Sequence, residues 1–592
     1  MRLVSIKMMR APRKAAAVLA ISLLGVLPSR RVAGDGMARL LGHVPSKRMH
    51  AAEYLGAKDA SEPMQLAVVL KPRNQSALED FLKRVQDPRD PQFHQFLTSA
   101  QFAAQFGPTD DDIQSVTAHF ARYGMRVSKI HENRLVVDLE GATSQVEDSL
   151  QVQMHNYRLP SGRVAHAANN DPLFPAEIAS KIHTVAGLNN FSLRRPHISM
   201  GPNANIQHDA SVGDFMTPAK IKTVYSLDTV SQTGSGETLA LFELDGYNAS
   251  DIAGYASNFG ITAPTLQNVL VDGASGAAGS GAIEVTLDIE LAAAVAPGLS
   301  KIMVYEGPNT DTGVLDTYSK IASDNLAPEV STSWGASEDE DTSAFLNGEN
   351  AIFQQMSAQG QSIFAATGDS GAFDDPNHAS NLSVDDPASQ PNVTAVGGTT
   401  LLVTTANTYK SESAWGDTSR GQGGGGGVSK VWPIPSWQTS VGTNANGEST
   451  THRMVPDVSL DANPSTGYPV YFQQTGQSSP WILVGGTSCA APMWAAFLAV
   501  VNQKRVADGH SRIGFANPSL YQVAQSAQYP VAFHDISDGS TNLNFAAMED
   551  YDLATGWGSF NGAGLFNNLT AATLPAALAA PGVPATISVG AN

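Results

Sequence analysis

Gly485-Gly486-Thr487-Ser488-Cys489-Ala490-Ala491-Pro492 leads into an apolar, Ala-rich run through Trp494 and Phe497 to Val501. Two glycines and a threonine ahead of a serine read as a tight turn opening onto a buried helix, with Ser488 in its first turn. A helix N-terminus carries unpaired N–H groups and the positive end of the helix dipole. A serine oxygen held there can attack a carbonyl, and the nearby N–H groups can steady the oxyanion that forms. The same residues would also suit a serine that only caps a core helix.

A serine nucleophile needs a base. From residue 210 onward the histidines are His378, His452, His510 and His534, and none stands in a Gly-flanked strand-to-helix context. The His-Gly-Thr-His motif that serves subtilisin-type enzymes is absent. The chain offers instead a helix over Gly281–Ala294 that is apolar on most sides. Glu284 and Asp288 are four apart on it and share one face. Two such carboxylates are expected to share a proton and shift each other's pKa. A solvated acidic face is the other reading, but Val285, Thr286 and Leu287 lie between the two acids. A third acid follows the strand-like run Ser362–Thr367 in Gly368-Asp369-Ser370-Gly371. Asp369 thus falls at the C-terminal end of a strand, where open α/β sheets place their sites. Asp374 and Asp375 follow it and could line a pocket.

Together these elements resemble the sedolisins, the serine-carboxyl peptidases related to kumamolisin. The likeness covers nearly all of the chain after its leader. The Glu-x-x-x-Asp helix, the Gly-Asp-Ser-Gly strand end and the Gly-Thr-Ser element occur in family order. Phe242-Glu243-Leu244, Ser331-Thr332-Ser333-Trp334-Gly335, Pro387-Ala388-Ser389, Val396-Gly397-Gly398-Thr399 and Val455-Pro456-Asp457-Val458 match connecting signatures. The resemblance implies Ser488 as nucleophile, Glu284 as its general base, Asp288 orienting Glu284, and Asp369 stabilising the oxyanion. It places Glu243 and Trp334 in a hydrogen-bond chain behind the acid pair, and Ser333 and Gly335 on the strand that pairs with substrate. Gly485 departs from the Ser that often precedes the Gly-Thr-Ser element, a change expected to be harmless.

The implied fold is α/β, a subtilisin-like parallel sheet flanked by helices and preceded by a small α+β prosegment domain. Alternating strand and helix patterns from about residue 215 to 570 agree with a parallel sheet. A carboxylate base has an unperturbed pKa of about 4.3, against about 6.5 for imidazole. It works best near its own pKa. Asp369 must be protonated to donate to an oxyanion. Both demands put the working range on the acid side.

Composition agrees with a secreted enzyme. Residues 1–200 carry 25 Lys and Arg against 18 Asp and Glu, whereas residues 201–592 carry 11 against 37. The acidic second half argues against nucleic-acid binding, which wants basic surface. Arg10, Arg13 and Lys14 precede the short apolar run Ala15–Leu27, the form of a signal peptide and too short for a confident membrane span. Cys489 is the single cysteine, so no internal disulfide can form. A thiol nucleophile is a further reading of Cys489, but its Ala-rich setting favours a small buried apolar residue.

Between the leader and the peptidase region, Leu66–Leu70 reads as a strand, Ser76–Val85 as a helix and Asp110–Tyr123 as a second helix. Arg126–Ile130 with Leu135–Leu139 reads as a hairpin, and Val146–Val152 as helical. This unit resembles the sedolisin prosegment, including Phe96-Leu97-Thr98 and Phe106-Gly107-Pro108-Thr109. Arg194–Asp214 is polar and reads as an exposed linker. The expected domains are a signal peptide over 1–36, an activation prosegment over 37–195, a linker over 196–214, the peptidase over 215–570 and an Ala/Pro-rich tail over 571–592.

Two acid-bearing loops, His534–Gly539 and Glu549–Gly556, could supply the oxygens a hard cation wants. The resemblance implies one structural calcium here. Asp535 and Asp552 would give carboxylates and Ile536 its carbonyl. Met548 and Asp550 stand where the family has a Gly-x-Gly-x-Asp stretch that supplies two more carbonyls. The expected protein is a secreted, self-processing acid endopeptidase. It acts as a monomer on proteins or peptides, holds its prosegment as an intramolecular inhibitor, and has no membrane attachment after signal removal. A tripeptidyl exopeptidase on the same fold and a non-catalytic binding protein are the alternatives, and the retention of all four catalytic-type residues argues against the last.

Overall fold

The structure is a computed structural model that describes residues 36–205 and 215–576, apart from 377, 378, 444, 445, 475 and 478. The expected signal peptide, the second half of the linker, the end of the tail and His378 lie outside the described residues.

The peptidase half is built on one twisted sheet. Its strands run in the order Leu266–Leu270, Lys301–Glu306, Thr238–Glu243, Glu329–Thr332, Ser362–Ala366, Thr394–Val403. All of these pairs are parallel, as is Val458–Asp461 against Thr394–Val403. Tyr409–Ala414 adds an antiparallel edge. Ser362–Ala366 is buried at every position, which is why its sequence is a continuous small and apolar run rather than an alternating one. Two helices cross the sheet. Ala282–Val295 is buried along its whole length, and the helix Thr487–Ala507 packs beside it. Neither has an amphipathic stripe, as expected for helices enclosed on all sides.

The prosegment half carries an antiparallel sheet in the order Arg126–Ile130, Val136–Ala142, Pro63–Leu70, Ile182–Ala186. Its central strand serves two cores by simple alternation. Met64, Leu66, Val68 and Leu70 enter the prosegment's own core, while Ala67 and Val69 enter a core shared with Tyr318, Phe345 and Ile352 of the peptidase half. The helix Ser343–Ala358 approaches this sheet so closely that a Cβ added at Gly348 would sit 2.5 Å from Thr184 Cγ2. The two short prosegment signatures are helix starts. Thr98 with Gln101, and Thr109 with Asp112, form reciprocal capping boxes, each satisfying two otherwise orphaned N–H groups. Leu97 also donates its N–H to Ala358 O at 2.9 Å, tying that corner to the peptidase half.

The linker differs from expectation. Arg194, His197 and Ser199 are all at most 5% exposed. Arg195–Pro196 pairs antiparallel with Trp334–Ser337, and Ser199–Asn205 pairs antiparallel with Trp481–Gly485. Over residues 194–205 the segment is not a free connection, because two strand edges of the peptidase half satisfy its backbone. Polar composition alone does not reveal a partner edge.

Candidate active site

The turn before Ser488 requires glycine. Gly486 has φ of 100°, and a Cβ there would lie 2.2 Å from His197 O and 2.5 Å from Asp369 Oδ2. Gly485 likewise has backbone of Ala462 and Pro464 where a side chain would go. Pro492 sits inside the helix that follows. It has no N–H for Ser488 O, its i−4 carbonyl. Ser333 Oγ reaches that carbonyl instead, at 3.4 Å.

Several buried carboxyl groups gather beside Ser333 and Trp334. Ser333 Oγ also faces Asp288 Oδ1 at 2.9 Å, and Trp334 Nε1 donates to Glu243 Oε2 at 2.8 Å. Glu284, Asp288 and Glu243 are fully buried. Burial pushes all three well above the usual carboxyl range, Asp288 adds to the rise at Glu284, and Glu243 adds to the rise at Asp288. Such a row holds protons between its members rather than full charges. The Ser488 hydroxyl opposes the upward shift of Glu284, although the two do not close a full hydrogen bond in this state. Catalytic hydrogen bonds are often loose before the reacting complex forms.

Asp369 stands beyond the end of Ser362–Ala366, against Thr487 at the helix start. Its Oδ1 accepts the Thr487 N–H at 2.8 Å and the Thr487 hydroxyl at 3.1 Å, and its Oδ2 accepts Ser199 Oγ at 2.7 Å. Burial raises its pKa to about 6 against the opposing pull of His197 and these donors. Cys489 points into the core, and burial pushes its thiol well above its ordinary value. It has no nucleophilic character here.

The linker lies across this constellation as a bound peptide. His197 donates its N–H to Ser333 O at 3.0 Å, and its carbonyl accepts the Ser488 N–H at 3.1 Å. Arg195 is paired with Gly335 and Pro196 with Trp334. On the other side Ser199 is paired with Gly485. Ser333 and Gly335 therefore flank an extended chain, and the peptide bond over Ser488 is His197–Ile198. The His197 ring fills a buried pocket with its Nε2 3.0 Å from Asp385 Oδ2. Burial holds the imidazole below its ordinary pKa against the attraction of Asp374. Asp374 is thus a pocket residue, whereas Asp385 went unread in the sequence, Thr487 was read only as part of the turn, and the linker residues were read as an exposed connection. Arg-Arg-Pro-His-Ile-Ser was the available signal, since proline and a β-branched residue favour an extended chain.

The calcium-type loops also come together. Asp535 accepts Tyr529 Oη at 2.8 Å and a backbone N–H of Asp550. Asp552 is fully buried and accepts the N–H groups of Met548, Ala554 and Thr555 at 2.7–2.9 Å. No N–H of the described residues is bonded to the carbonyls of Ile536, Met548 or Asp550. Two carboxylates beside three unengaged carbonyls suit an oxygen-seeking cation.

Known proteins agree with this architecture. Residues 50–191 match the pro-kumamolisin activation domain, and residues 274–513 match the subtilase family. Kumamolisin of Bacillus sp. (strain MN-32) is 33% identical over 538 residues, covering 89% of this chain and 94% of that protein. Tripeptidyl-peptidase 1 of Canis lupus familiaris is 28% identical, covering 86% of this chain and 92% of that protein. The solved Pseudomonas sedolisin, a serine-carboxyl proteinase complexed with pseudo-iodotyrostatin, superposes with a TM-score of 0.53 at 29% identity over 59% of this chain and 96% of that one. With an activation domain ahead of a subtilisin-like unit and a relative this similar over nearly its full length, the chain belongs to the kumamolisin–sedolisin family and is a serine-carboxyl peptidase carrying its prosegment.

Proposed function

We propose that the protein is a secreted zymogen that becomes an acid-acting endopeptidase by cutting itself between His197 and Ile198. The observation that carries this reading is the His197 carbonyl on the Ser488 N–H, with paired strands on both sides of it. Ser488 Oγ attacks the His197 carbonyl carbon while Glu284 takes the hydroxyl proton. Asp288, Glu243 and Trp334 hold Glu284 in place and spread the proton along the carboxyl row. The Ser488 N–H and a protonated Asp369 receive the oxyanion. Glu284 then gives its proton to the Ile198 nitrogen as the C–N bond breaks. A water, deprotonated by Glu284, attacks the acyl carbon, and Glu284 returns that proton to the Ser488 oxygen as the acyl group leaves. An imidazole base would be charged and idle at acid pH, whereas a buried carboxyl row that shares protons among its members can take one up and pass it on there.

An endopeptidase is favoured because the bound chain runs on past the third residue before the scissile bond, through Arg194, which the peptidase half holds by its backbone. The acidic pocket around His197 suits a cationic or hydrogen-bond-donating side chain just before the cut, with proline ahead of it. Digestion of a peptide library across pH, read by mass spectrometry, tests the whole reading. Internal cuts below about pH 6, the pKa of Asp369, are expected. Release of tripeptides from free N-termini alone would establish the exopeptidase alternative, and no cleavage at any pH would establish a binding protein.

Self-processing has its own expected outcome. N-terminal sequencing of acid-incubated protein should find Ile198 as a new terminus. A first cut well inside residues 40–180, or full activity of the uncut chain at neutral pH, would overturn the zymogen reading.

A single structural calcium is proposed at Asp535 and Asp552, with the carbonyls of Ile536, Met548 and Asp550. An ion held only by the native state stabilises it by mass action. Asp552→Ala should abolish the ion and lower Tm, and chelator should lower the Tm of the wild type but not of the variant. Elemental analysis finding no calcium in the purified protein, with a chelator-insensitive Tm, would remove the assignment.

A further inference from the structure

Arg194 stands four residues before the proposed cut, and its side chain is 3% exposed. Its guanidinium lies 3.1 Å from Asp341 Oδ1, and 3.7 Å from both Glu349 Oε1 and Asp386 Oδ2. It also stacks over Phe345, 4.7 Å from the ring centroid. Asn309 clamps its backbone, accepting the Arg194 N–H at 2.9 Å and donating to the Arg194 carbonyl at 2.8 Å. Asp311 also faces the guanidinium charge. Apart from Arg194 itself, every group named comes from the peptidase half. Asn309 lies just ahead of the helix Asp311–Asp324, which Asp311 begins, Phe345 and Glu349 share one face of Ser343–Ala358, and Asp386 borders the strand that pairs with the linker.

Acids outnumber the cation at this spot. The side chains of Asp311, Asp341, Glu349 and Asp386 are buried around Arg194, with Arg48 and Arg163 of the prosegment also facing Asp311, and both oxygens of Glu349 and one of Asp341 have no hydrogen-bond partner among the described residues. A buried carboxylate without a donor is costly. Once the prosegment leaves, the walls of this pocket remain and its cation is gone. A planar cation with several N–H donors fits such a set better than a point charge does.

We propose that this pocket is an arginine-recognition subsite of the peptidase, reading the guanidinium of the fourth residue before the scissile bond in substrates as it holds Arg194 in the zymogen. The subsite's use on substrates rests on the cleavage register proposed above. Substrate-side chemistry tests it on the unaltered enzyme. Peptides containing Arg-Arg-Pro-His-Ile-Ser are compared with peptides carrying citrulline or lysine in place of the first arginine. Citrulline keeps the shape and loses the charge. The acid-processed enzyme should cut the arginine peptide at His–Ile with kcat/KM about tenfold or more above the citrulline peptide, with lysine between them. Ratios within about twofold would overturn the proposal.

A second arm does not need turnover. In the full chain carrying Ser488→Ala, adding Arg194→Ala should lower Tm, and about 10 mM ethylguanidinium should recover more of the loss than ethylammonium does. Equal or absent recovery would count against a guanidinium site. If no peptide is cut anywhere, the peptidase reading fails while this arm still reads the pocket. If Arg194→Ala does not fold, the peptide comparison decides alone.

Discussion

Ser488→Ala is expected to lower kcat/KM by about four to six orders of magnitude and to leave the chain uncut at His197–Ile198. The hydroxyl belongs to the residue whose own N–H already holds the His197 carbonyl, and so it is placed to form a covalent bond to that carbonyl carbon. The helix start should survive the change, because its geometry depends on Gly485, Gly486 and Thr487 and not on the serine side chain. Purified Ser488→Ala should therefore melt like the wild type and show one band after acid incubation. Normal self-processing by that variant would sink the assignment of the nucleophile. Cys489 is not expected to substitute, since it is fully buried in the hydrophobic core.

Asp369→Ala should cost about a hundredfold or more in kcat, and Asp369→Asn should be milder and more informative. Asparagine keeps an oxygen for the Thr487 N–H and supplies an amide N–H toward the oxyanion, but it does not titrate. The wild-type carboxyl, raised to about 6 mainly by burial, donates only while protonated. Its contribution is full well below that value and is lost as pH rises through it. The wild-type pH–rate profile should fall through this window, and the Asp369→Asn profile should be flatter there. Retention of full kcat by Asp369→Ala would reduce Asp369 to a turn residue. A fall through pH 6 in Asp369→Asn equal to that of the wild type would assign the limb to another group.

The parts legible in the sequence were those written as periodicity or as a local turn. Glu284 and Asp288 could be placed on one face of a helix because i and i+4 always share one, and the prosegment hairpin showed in its alternation. Asp369 was readable as a strand end because a buried parallel strand is a plain apolar run. The structure agrees with each of these elements. What escaped was made by distant pairings. Arg194 to Ser199 looked like a linker because nothing local marks a segment whose hydrogen-bond partners lie about 140 and 285 residues away, at Gly335 and Gly485. Asp385 is invisible for the same reason, as its meaning comes from the ring of His197.

The central prosegment strand, which feeds alternate side chains into two cores, gives the proposed cut an unusual kinetic character. Breaking the His197–Ile198 bond severs a tether and leaves Ala67, Val69 and the rest of the shared core in place. What had been an intramolecular inhibitor at high effective concentration becomes an ordinary bimolecular one. The freshly cut product would then be silenced by its own former half in a crowded solution and would wake as it spreads. Dilution, as much as acid, would set the moment at which proteolysis begins.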